Sequence, residues 1–132
     1  MKIYLIGYAA TLVAFLACDA VWLSLMGPVL YRPVLGDMAL PEFRLAPAVV
    51  FYLLYVAALV YFAVRPGLTE GAGVAMLNAA LFGVAAYATY DLTNQATLKN
   101  WSTLLSVADI AWGAVASSVA ATVGRWAAAY SA

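Results

Sequence analysis

Apolar residues along this chain run together in long blocks, and polar positions punctuate the blocks instead of alternating with them. Four stretches, residues 3–26, 46–64, 72–92 and 101–125, are each almost continuously apolar. A helix that crosses a bilayer needs about 20 mostly apolar residues, because the hydrocarbon core is about 30 Å thick and the helix rises about 1.5 Å per residue. The pattern predicts an all-α integral membrane four-helix bundle, with one transmembrane domain over residues 1–132. The connections 65–71 and 93–100 are short, so neighbouring spans are expected to pack antiparallel. The longest connection, 27–45, holds Arg32, Asp37, Glu42 and Arg44 among apolar residues and is expected to lie along the membrane interface. All five prolines (Pro28, Pro33, Pro41, Pro47, Pro66) fall in connections or at a span's first turn. There a missing N–H leaves no carbonyl unpaired in lipid, which predicts uninterrupted helices and argues against the broken helices of many secondary transporters.

Composition agrees with the pattern. The chain is 67% hydrophobic and 9% charged, against about 45–50% and about 25% in soluble domains, so a water-soluble globular domain is excluded. Six Lys and Arg balance six Asp and Glu, and so few basic residues exclude a nucleic-acid partner. One cysteine, Cys18, and no histidine exclude a disulfide framework and any conventional zinc, haem or iron–sulfur site; no cofactor is expected. Met1-Lys2 and the apolar run to Leu16-Ala17-Cys18 resemble a lipoprotein signal. The leucine stands one place too close to the cysteine, however, and the apolar run continues to Met26, so the segment is read as a true span. Lys2, Arg65 and Arg125 lie on the side of the termini, and Arg32, Arg44 and Lys99 on the other. This tie sets no orientation by the positive-inside rule.

The acids inside the spans are the informative residues. Burying Asp in a membrane costs at least about 2.5–3.5 kcal/mol on insertion scales, and such a residue usually faces the bundle interior or a water-filled cavity. Asp19 lies roughly 10 Å before Met26, and Asp109 roughly 12 Å beyond Trp101, at helical rise. Asp91 ends the third span. All three belong to the membrane half opposite the termini. On the fourth span Ser102, Ser106, Asp109, Gly113 and Ser117 make one polar, small-residue stripe. Tyr8, Thr11, Phe15, Asp19 and Trp22 make another on the first span, and Gly83, Tyr87, Tyr90, Asp91 and Asn94 share one side of the third. Asp19 and Trp22 repeat the spacing of Asp109 and Trp112, which sets an indole beside each acid. A plainer reading is packing: small residues let membrane helices approach, and buried polar groups act as glue. Asp109 could then be bonded to a hydroxyl or to Asn94. One or two polar residues would suffice for glue, whereas three helices here put acids at compatible depth.

The stretch Tyr90-Asp91-Leu92-Thr93-Asn94, with Thr97-Leu98-Lys99-Asn100-Trp101 and Asp109-Ile110-Ala111-Trp112-Gly113, resembles the signature of an uncharacterised bacterial family of small four-span inner-membrane proteins. The family is catalogued as a domain of unknown function, number twenty-one seventy-seven. Asp19-Ala20-Val21-Trp22-Leu23 fits it too, and the likeness covers essentially the whole chain. The resemblance implies a multi-pass protein of the bacterial inner membrane and no particular activity, with a loose association to fatty-acyl-modifying enzymes.

Three functions suit the constellation. The first is binding or transport of a cationic or amine-bearing amphiphile or lipid headgroup by Asp19, Trp22, Tyr87, Tyr90, Asp91, Asn94, Lys99, Ser106, Asp109 and Trp112, since carboxylates supply charge and aromatic faces attract cations. Lys99 is expected to pair with Asp91 as an interfacial lock. Two carboxylates in low dielectric cannot both stay ionised without a counter-charge, so a shared proton or a bound cation would resolve the conflict and could couple the site to protons. The second is a membrane enzyme of lipid or fatty-acyl modification with Asp19 and Asp109 as acid and base; no nucleophile with an evident base supports it, and Cys18 projects away from Asp19. The third is an assembly subunit of a homo-oligomer or a larger membrane complex, joined through the small-residue faces.

Overall fold

A computed structural model describes residues 1–132. It is helical almost throughout and contains no strand, and four helical runs are long and apolar enough to cross a membrane. The first run comprises α1 (Lys2–Met26), a π turn (Gly27–Tyr31), α2 (Arg32–Leu35) and a 3₁₀ turn (Gly36–Met38). The second comprises α3 (Leu45–Leu59), a π turn (Val60–Val64) and α4 (Arg65–Glu70); the third is α5 (Ala72–Thr97) and the fourth α6 (Thr103–Tyr130).

Helix α6 is the spine. It packs lengthwise against α1 on one side and α5 on the other, and small residues allow the approach. A Cβ on Gly83 of α5 would strike the Gly113 carbonyl of α6, and one on Gly124 would strike Thr11 of α1. The second run joins this trio unevenly. Its α4 and π turn lie against α5, whereas α3 leans on α1 and barely approaches the α5 backbone. Aromatic rings bridge that gap at its inner end: Tyr55 packs against Phe82 and Tyr87, with ring centroids 5.4 and 6.2 Å away. Phe15, Tyr55, Val56, Leu59, Ala63 and Val64, with Ala79 of α5 and Ala116, Ala120 and Ala121 of α6, form the buried core beside it.

Two features depart from the sequence reading. Residues 27–38 are not an interfacial loop, because the helix of the first span continues through them with a widened turn. Nor is the second span a regular α-helix throughout, since a π turn (Val60–Val64) stands before Pro66, and a second one beyond the first span (Gly27–Tyr31) contains Pro28 and precedes Pro33; the first, third and fourth spans are uninterrupted. Proline lacks the N–H for the carbonyl four residues back, and its ring crowds that carbonyl. A wider turn relieves the crowding: Arg32 N–H donates to Gly27 O and Arg65 N–H to Val60 O. Pro66 deprives the Phe62 carbonyl of its helical donor, and Asn78 Nδ2 of α5 donates to it at 3.0 Å. The turn at 65–71 is therefore helix up to Gly71, whose φ of 111° breaks it. At the other end α5 runs on to Thr97, so Asp91 stands within a helix instead of closing one. Ser102 caps α6, accepting from Leu105 N at 3.0 Å.

Candidate functional site

Asp19 on α1, Asp91 on α5 and Asp109 on α6 are all buried, at 9%, 0% and 5% relative exposure. Asp19 and Asp109 line one cavity of about 260 Å³ together with Leu23, Tyr31, Phe51, Ala86, Tyr87 and Tyr90. No lysine or arginine lines it.

Each cavity acid receives a phenol. Tyr31 Oη donates to Asp109 Oδ1 and Tyr52 Oη donates to Asp19 Oδ2. Tyr31 reaches Asp109 because Cα–Cβ bonds of a helix tilt toward its N-terminus; the run beyond Met26 stays helical, so the ring hangs back toward the bundle. Trp22 Nε1 in turn donates to Tyr31 Oη at 2.7 Å, completing an indole–phenol–carboxyl chain. The indoles of Trp22 and Trp112 stack, with centroids 4.6 Å apart and planes 4° from parallel. The repeated Asp-x-x-Trp spacing thus pairs crosswise. Trp22 serves Asp109 through Tyr31, while Trp112 neighbours Asp19 from the facing helix, its buried Nε1 holding no formed hydrogen bond.

Asp91 is placed differently. It does not line the cavity, and neither of its oxygens receives a donor. Its neighbour is the Asp109 carboxyl on the facing helix. The expected lock with Lys99 does not form. Lys99 is exposed in the loop beyond Thr97, more than two helical turns past Asp91, whose side chain faces inward.

Trp22, Trp112, Ser106 and Asn94, also expected at the site, lie outside the cavity lining. Ser106 ties α6 to the end of α5, accepting from Trp101 Nε1 at 3.0 Å and bonding Gln95 Oε1 at 2.8 Å. Asn94 contributes its backbone carbonyl to Leu98 N, and its side chain makes no hydrogen bond to Asp109. The hydroxyl on Asp109 comes from Tyr31 instead. Tyr87 and Tyr90 are in the lining as expected, with Gly113 packed under the Tyr87 ring.

Sequence reasoning missed Tyr31, Phe51 and Tyr52. Phe51 and Tyr52 belong to the second span, which carries no acid to mark a site. The Tyr52-x-x-Tyr55 spacing, two phenols on one helical face, was a readable signal. Tyr31 offered none, since its role depends on helix persisting past Pro28.

Residues 4–126 match a family described as predicted membrane proteins, DUF2177. The chain belongs to this family. No curated protein and no solved structure matches it. Family membership thus agrees with the four apolar helices on a multi-pass membrane protein, and the cavity's chemistry is left to be read from its own residues.

Proposed function

We propose that this DUF2177 protein binds the cationic head of an amphiphile in the cavity between Asp19 and Asp109, as a carrier would, with the bacterial inner membrane as its setting. One observation carries the reading: two buried carboxyl groups face a common space that no basic side chain lines. A cation there meets carboxyl groups that no basic side chain lines up against, together with the rings of Tyr31, Phe51, Tyr87 and Tyr90. Aromatic faces contribute roughly 0.5–2 kcal/mol each to a desolvated cation. The size fits a head and not a whole amphiphile. At ~30 Å³ per water, a cavity of about 260 Å³ holds about nine waters' worth of volume, enough for an ethanolamine or a trimethylammonium group.

Asp91 extends the reading to protons. Neighbouring carboxylates out of water cannot both stay ionised without a counter-charge, which a proton or a bound cation supplies. A cation arriving at Asp109 does the same service, so its binding displaces that proton. This exchange is the elementary step of a proton-coupled carrier.

The test is a titration of benzyltrimethylammonium into the full chain in mild detergent, read by tryptophan fluorescence and by a pH dye in weak buffer. Saturable binding with proton release is expected, weakened at least tenfold in Asp19→Asn and in Asp109→Asn and unchanged in Asp37→Asn. No saturable binding in the wild-type chain, or equal affinity in both cavity variants, overturns the reading.

A further inference from the structure

The cavity's walls are not equally closed. Between α1 and α6, and between α5 and α6, helix packing is continuous. Between α3 and α5 it is not, because below the Tyr55–Phe82 contact the second run meets α5 through its π turn and α4, while α3 itself stands off. Phe51 on α3 and Tyr90 on α5 line the cavity and are nevertheless 47% and 48% exposed. They are the two jambs of a sideways mouth. Outward from it the helices present apolar side chains such as Leu54 on α3, which are exposed toward the hydrocarbon.

The ends of the same two helices carry basic residues. Arg44 immediately precedes α3 and Lys99 closely follows α5, and both are exposed. Arg44 stands about 10 Å along α3 from Phe51, and Lys99 about 13 Å beyond Tyr90 at helical rise. Both are long enough to bend their heads back along the helix surface. The order from the inside outward is therefore carboxyl groups at depth, then an aromatic mouth, then Arg44 and Lys99 at the membrane face, where Asp37 and Glu42 are exposed as well.

We infer that the ligand is a bilayer phospholipid with an amine or ammonium head, which enters sideways between α3 and α5. Its head reaches Asp19 and Asp109, its phosphate stays at the mouth under Arg44 and Lys99, and its acyl chains remain in the membrane against α3 and α5. This rests on the cation-binding reading and adds to it the class of ligand and the route. A zwitterionic phospholipid matches both charge layers, whereas a simple soluble amine matches only the inner one. The cavity's small volume ceases to be a restriction, since only the head must fit.

The experiment uses the full chain in nanodiscs of phosphatidylglycerol doped with phosphatidylethanolamine that carries a diazirine midway along one acyl chain. Labelling is expected to concentrate on peptides containing Phe51 and Tyr90, at least fivefold above that of phosphatidylglycerol bearing the same group. It is expected to fall at least fivefold in Asp109→Asn and, as an independent variant, in Asp19→Asn. The double variant Arg44→Gln/Lys99→Gln lowers it several-fold while leaving benzyltrimethylammonium binding within twofold of wild type. Thermal melts of each variant check folding. Equal labelling by both lipids, or labelling spread evenly over the outer faces of α1 and α6, overturns lateral access. If benzyltrimethylammonium still binds in an Asp109-dependent way in that case, the cation site stands and only the lipid route falls. Absence of an Asp109-dependent response to either probe sinks both.

Discussion

Tyr31 and Tyr52 each set a phenol oxygen against one of the cavity's acids, and Tyr31 also accepts from Trp22. Removing the Tyr31 hydroxyl therefore strands two groups, the half-buried Trp22 N–H and a buried Asp109 oxygen. Hydrogen bonds between membrane helices are worth about 1–2 kcal/mol in peptide systems and average about 0.6 kcal/mol in a folded membrane protein. Tyr31→Phe is expected to lower stability by about 1–2 kcal/mol, the upper end because two partners are lost. Denaturation in mixed detergent micelles would measure it. In an Asp109→Asn background the same substitution should cost less, because the shared bond has already been altered; strict additivity of the two changes would show that the pair is not coupled. A second residue-scale effect concerns Gly113, whose missing side chain leaves room for the Tyr87 ring. Gly113→Ala must push that ring into the cavity or part α5 from α6. Binding of benzyltrimethylammonium is expected to fall at least fivefold, as titration of the variant would show.

The helices owe their form to how prolines are accommodated. Pro66 lies inside a continuous helical run, and the carbonyl that it leaves without a donor is bonded by Asn78 of the neighbouring helix. A carbonyl left unpaired in hydrocarbon, out of reach of water, costs about 1–3 kcal/mol. Asn78→Ala should destabilise the bundle by that order in the natural sequence. In a Pro66→Ala background the restored N–H supplies the Phe62 carbonyl, and Asn78→Ala should then cost well under half as much. Equal costs in both backgrounds, measured by the same denaturation, would refute the donor role. The turn near Pro28 has a different consequence, since it carries Tyr31 back over the bundle. The sequence offered Pro28 and Pro33 as marks of a connection. Proline's real effect here is to widen a helical turn, because membrane-embedded backbone has no water to bond and stays helical where it can.

At the scale of the whole molecule, α1, α5 and α6 form a tight trio and the second run closes it incompletely, leaving the cavity with a mouth. A ligand that binds only the folded state stabilises it by about 2.7 kcal/mol at a hundredfold excess over Kd. Benzyltrimethylammonium at saturating concentration is accordingly expected to raise the melting temperature of the wild-type chain by several degrees and that of Asp109→Asn by almost nothing; equal shifts would mark a non-specific detergent effect. Much of this architecture was legible beforehand. Hydrophobic length alone determined four membrane helices, because a bilayer admits few other backbones. Helical spacing put Asp19, Asp109 and Tyr87 on inward faces, because a charged group in hydrocarbon must turn from lipid. What only the tertiary structure decided is which partners those groups meet. Tyr31 and Tyr52 come from segments remote in the chain, Trp22 and Trp112 exchange acids across the α1–α6 contact, Asp91 faces Asp109 instead of Lys99, and α3 stands off from α5. Spacing along one helix states which way a side chain points; the neighbour that it finds depends on the crossing and depth of a second helix, which no single stretch of sequence encodes.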